Sequence, residues 1–140
     1  MKRSILSLAA VLALAGGLVA AGVAAAPKGA TVVIRHQLRG CHSWSFNGGA
    51  FNPALAARLA RGGTITFVDN DLMPHQLIEK SGPAVRYSGN PLMHKMGASV
   101  KVTLPKAGVY VFGTKAGEDY VKGVKTIGED NVLRLTVTVS

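Results

Sequence analysis

Gly62-Gly-Thr-Ile-Thr-Phe-Val-Asp-Asn-Asp71, followed two residues later by Pro74-His75, is the stretch on which the fold reading turns. Thr64 to Val68 consists only of β-branched and aromatic side chains, the composition of a strand. Two glycines precede it, and Asp69-Asn-Asp71 is a turn signal that ends it. Downstream, His75–Ile78 reads as a short strand, and Gly82-Pro83 punctuates before Val85-Arg-Tyr87. Gly89-Asn-Pro91 is a further turn. Val100–Leu104 alternates with period two, and Pro105-Lys-Ala-Gly108 turns into Val109–Phe112. A long loop is expected from Gly113 to Asn131, and Val132–Val139 closes the chain with clean alternation. Upstream, Thr31–Arg35 is a compact β-branched strand, and the stretch from Gly40 to Pro53 reads as a loop broken at Gly48-Gly49. Ala54–Ala60 fits either a short helix or a strand, because Ala and Leu serve both. About seven to eight short strands with little helix indicate an all-β Greek-key sandwich.

The first residues read as an address rather than as fold. Lys2-Arg3 is a charged start, Ile5 to Val23 is apolar, and Ala24-Ala25-Ala26 offers the small residues of a cleavage site. Residues 1–26 are therefore expected to be a secretory signal peptide, with an uncleaved anchor as the alternative. Residues 27–140 form one domain, of a size that buries a core without staples. The expected location is periplasmic or secreted. The whole chain carries 16 lysines and arginines against 7 acidic residues. Removing Lys2 and Arg3 leaves 14 against 7, and these are spread without a run or any alternation with aromatics. That distribution argues against nucleic-acid binding and for a solvated basic surface. One cysteine cannot close an intramolecular disulfide, so Cys41 must be bridged to another chain, oxidised, buried or metal-bound in an oxidising compartment.

The chemistry-bearing residues are clustered. All four histidines, the cysteine and every methionine after the initiator fall in His36…Cys41-His42, Met73-Pro74-His75 and Met93-His94-Lys95-Met96. Soft sulfur and imidazole donors of this kind select copper among the common metals.

The Gly62–His75 stretch resembles the cupredoxin strand that leads to the first copper histidine. Leu104-Pro-Lys-Ala-Gly-Val-Tyr-Val-Phe112 is similar to the later cupredoxin hairpin that climbs to the metal. Their order and spacing are similar to plastocyanin- and azurin-like domains across the mature chain. The resemblance implies a copper site at the end of the sandwich where His75 lies. It also exposes a departure. In the family the later strand ends in a copper-binding Cys, followed by a His and usually a Met. Here Thr114 or a neighbour stands at that Cys position, and Lys115 to Gly128 contains no His, Cys or Met. By the family's strand order, Gly40–Gly49, Asp69–His75 and Asn90–Gly97 are expected to meet at one end. Cys41 would then supply from the first loop the thiolate that relatives supply from the last.

The expected metal residues are His75, Cys41, His42, His36, Met96 and His94. A thiolate beside imidazoles is a strong copper set, with Met96 as an axial thioether. His36 and His42 compete, while Met73 and Met93 are expected to pack. Trp44 and Phe46 are expected core residues that wall the site. No nucleophile–base pair, phosphate loop or zinc motif appears, so the chain is not read as an enzyme. The expectation is one copper ion, a redox partner protein and a monomeric electron carrier. Copper carriage or sequestration, and a metal-free interaction module bridged through Cys41, are the alternatives.

Overall fold

The computed structural model describes residues 24–36, 42–116 and 133–140. The expected signal segment up to residue 23, Cys41, and residues 117–132, which hold most of the expected Gly113–Asn131 loop, lie outside them.

Alternation decides how each strand sits. In β4 (Gly63–Asp69), Ile65, Phe67 and Asp69 are buried while Thr64, Thr66 and Val68 are only half-covered. β-Branched and aromatic side chains favour this half-buried pleat. β4 lies between β1 (Gly29–His36), to which it is parallel, and β8 (Ser99–Leu104), to which it is antiparallel. With β2 (His42–Phe46) and β6 (Arg86–Ser88) they form a five-stranded sheet in the order β2-β1-β4-β8-β6. The second sheet runs β3-β10-β9-β5-β7. Its strands are β3 (Ala54–Leu59), β5 (His75–Ser81), β7 (Leu92–Met93), β9 (Gly108–Ala116) and β10 (Arg134–Val139). β3 and β10 are parallel, and the other neighbours in this sheet are antiparallel.

The two inner faces meet over one core. Val32, Ile34, Trp44, Ile65, Phe67, Val100 and Val102 from the first sheet face Leu59, Leu77, Tyr110, Phe112, Leu135 and Val137 from the second. Phe67 lies at its centre, with its ring centroid 6.3 Å from Trp44 and 5.4 Å from Phe112. Tyr110 donates its hydroxyl to the Lys106 carbonyl at 2.7 Å, pinning the turn before β9.

The sandwich is all-β, as expected, with ten described strands rather than about seven to eight. The difference has local causes. The expected Gly40–Pro53 loop contains β2, whose Trp44 pairs with Asn52 as well as with Ile34. Ala54–Leu59 is a strand, since pairing to β10 overrides the ambiguous Ala and Leu propensities. β7 is a two-residue strand that the Asn90–Gly97 segment alone does not announce. β9 continues to Ala116, beyond the Gly113 at which a loop was expected.

Two glycines lock the β5–β9 connection. Gly82 has φ +132°, and a Cβ there would lie 2.9 Å from the Tyr110 Cα. Gly108 has φ +147°, and a Cβ there would lie 2.9 Å from the Pro83 ring. Backbone cannot yield as a flexible side chain can. Gly82→Ala is expected to cost about 1–3 kcal/mol, the usual range for a strained backbone position. Urea denaturation would show this as a lowered midpoint at unchanged slope.

Candidate metal centre

Register builds the site. The inward column of each strand runs through the apolar core and ends on a polar residue at one end of the sandwich. On β1, Ile34 is followed by His36; on β2, Trp44 is preceded by His42. On β4, Phe67 is followed by Asp69, and on β5, Leu77 is preceded by His75. His36 pairs with His42, Ile34 with Asp69, and His75 with both Met93 and Ala116. The His36/His42, Asp69–His75 and Met93 segments therefore meet at the same end, and the Asp69–Asp71 turn crosses it.

Asp71 is the hub. Its Oδ2 lies 2.7 Å from His42 Nδ1 and 3.2 Å from His75 Nε2. Its Oδ1 accepts the Met73 N–H at 3.1 Å, and His36 Nδ1 lies 4.0 Å away. The side chains of His42, His75 and Asp71 are buried, whereas that of His36 is 55% exposed. The His42 and His75 rings stand edge to face, with centroids 4.6 Å apart and planes at 87°. His36 meets His42 in the same manner at 5.6 Å. One donor atom from each of His36, His42 and Asp71 lies within 4.8 Å of the others, close enough to share a cation.

The remaining expected residues fall in different places. Met93 is fully buried and stands opposite His75 in the β5–β7 register. His94 is exposed, and Met96 is 51% exposed on the segment that follows. Cys41 lies outside the described residues, one peptide bond before the buried His42. Trp44 is in the core, as expected, and Phe46 is half-buried against it. Thr114 is buried opposite Leu77.

Sequence reasoning read Asp69-Asn-Asp71 only as a turn and missed both carboxylates. The available signal was local: Asp71 stands four residues before His75. Its other partner, His42, is 29 residues away, and only the fold reveals it.

The two carboxyls have opposite electrostatics. Burial pushes Asp69 up to about 7, and the Asp71 charge adds to that. Burial also pushes Asp71 upward, but the Met73 N–H, the His42 and His75 rings and the His42 charge together hold it below its ordinary value. Asp69 Oδ1 accepts the Asp71 N–H at 2.9 Å, while its Oδ2 is buried with no hydrogen-bond partner among the described residues.

An acid whose pKa is raised on folding destabilises the fold as pH rises, here from about 4 to about 7. Asp71, with a lowered value, contributes stability above about 4 that is lost as pH falls through its folded pKa. Asp69→Asn keeps an oxygen for the Asp71 N–H and removes the buried charge. In the metal-free protein it is expected to raise stability at pH 8 by a few kcal/mol, at about 1.4 kcal/mol per pKa unit. The gain should fade toward pH 4. Thermal unfolding of both proteins across that range checks it, and parallel curves would refute it.

The strand order, with its two parallel pairs, and the Gly62–His75 and Leu104–Phe112 stretches make this a cupredoxin-like β-sandwich. No family model matches the chain, and no curated protein does. Solved structures do align with it. A purple cupredoxin from Nitrosopumilus maritimus aligns over 79% of this chain and 99% of its own, at 18% identity and TM-score 0.48. Amicyanin from Paracoccus versutus aligns over 79% and 81%, at 18% identity and TM-score 0.42. A chain of a heme-copper terminal oxidase dimer aligns over 80% and 63%, at 12% identity and TM-score 0.44.

Proposed function

We propose that the chain is an exported protein that binds one copper ion at the end of the sandwich holding His42 and His75, and that it carries electrons. The observation that supports this most is the burial of two imidazoles, with ring centroids 4.6 Å apart, at the first residues of β2 and β5. Buried imidazoles on rigid strands hold a ligand geometry with little reorganisation, and the apolar wall below them excludes water. His75 and His42 would be the two nitrogen ligands, and Cys41, next in the chain to His42, the thiolate. Met93, buried and directly opposite His75, would be the thioether donor in preference to the exposed Met96. Bound copper would supply the one-electron couple.

Copper carriage is the second reading. His36, His94 and Met96 are exposed, and exposed soft donors suit ion exchange. A redox partner for the first reading, or a copper donor or acceptor for the second, would approach this end of the molecule.

One equivalent of cupric ion added to the reduced protein tests the first reading. It is expected to give an intense visible band, absent from Cys41→Ser. A colourless complex that exchanges copper rapidly would favour carriage. No binding, together with a disulfide-linked dimer, would leave a metal-free module.

A further inference from the structure

We propose that Asp71 is the positioning residue of this site: its carboxylate sets the tautomers of His42 and His75, selects which nitrogen of each ring ligates, and biases the copper toward the cupric state. The inference rests on the copper reading above.

An ionised carboxylate only accepts hydrogen bonds. Oδ2 of Asp71 meets His42 at Nδ1 and His75 at Nε2. A neutral imidazole carries one N–H. The nitrogen that donates to Asp71 must hold it, so the lone pair lies on the opposite nitrogen: Nε2 in His42 and Nδ1 in His75. The two rings are therefore to ligate through unlike atoms. That outcome is invisible in the sequence, where both are simply histidines.

The carboxylate is itself clamped. The Met73 N–H holds its other oxygen, and Asp69 holds the Asp71 backbone N–H. The side chain is 1% exposed, so water does not compete for either oxygen. A carboxylate accepting from a ligating imidazole also raises the ring's basicity, and outer partners of this kind typically change metal affinity about 10–100-fold. A fixed negative charge beside the site favours the more positive oxidation state.

Two measurements on the purified protein test this separately from copper binding itself. In the metal-free protein at pH 8, nitrogen NMR of the histidine rings is expected to place the proton on Nδ1 of His42 and on Nε2 of His75. A proton on Nε2 of His42 would overturn the proposal, whatever the protein does with copper. In the copper-loaded protein, Asp71→Asn is expected to retain the visible band. The cupric-to-cuprous affinity ratio should fall about tenfold, a rise of about 59 mV for one electron. Asp71→Ala, with no acceptor, should bind more weakly than Asp71→Asn. An unchanged potential in Asp71→Asn, with only a lowered melting temperature, would reduce Asp71 to a structural residue. If the parent protein binds no copper while the tautomers are as stated, the copper reading fails and the assignment of the rings stands.

Discussion

His75→Ala is expected to abolish tight copper binding, with a loss larger than the roughly 10–100-fold that removal of an outer partner brings. The expectation follows from where the strand places the ring. His75 opens β5, is fully buried, and is held between β7 at Met93 and β9 at Ala116. His94, one residue past Met93, is exposed. His94→Ala should therefore change affinity by only a few-fold. Competition against a cupric chelator measures both. Equal losses for the two variants would place the ion at the exposed His94–Met96 segment and not between the sheets.

Phe67→Ala is expected to cost about 3–5 kcal/mol, the usual range for deleting a fully buried aromatic. That is a large fraction of the 5–15 kcal/mol typical of a whole domain. Phe67 is buried completely and contacts both Trp44 and Phe112, so neither sheet can collapse into the space without moving. The effect should reach the site, since Asp69 is the next inward residue on the same strand. Val109→Ala, at a side chain 53% exposed on β9, should by contrast stay within about 0.5 kcal/mol. Guanidinium denaturation of both variants makes the comparison. Similar midpoints would mean that the core does not centre on Phe67.

What was legible in the sequence was whatever rested on local pattern. β4, β8 and the run Val109–Phe112 announce themselves through alternation and flanking turns. The resemblance of Gly62–His75 then placed the sandwich and one of its histidines. β2 was missed because His42-Ser-Trp-Ser-Phe46 has only two apolar residues and lies between Gly40 and Gly48-Gly49. It is a strand because β1 pairs with it, which is a tertiary cause. β3 stayed ambiguous for the same reason, since its choice between helix and strand is made by β10.

The site followed the same division. The grouping of soft residues was readable, and the register places His36, His42, His75 and Met93 at one end. The ranking within the groups was not. Met93 faces inward and Met96 outward, a difference set by one β-bridge register that no composition encodes. Asp71 looked like turn chemistry because its contact with His42 spans 29 residues of chain. Cys41 and most of the expected last loop lie outside the described residues.

The most direct test is anomalous diffraction at the copper edge from crystals of the protein loaded with one equivalent of cupric ion. A single peak is expected at the end of the sandwich, bonded to Nε2 of His42 and Nδ1 of His75. A peak held by His94 and Met96 on the surface, or none at all, would contradict it.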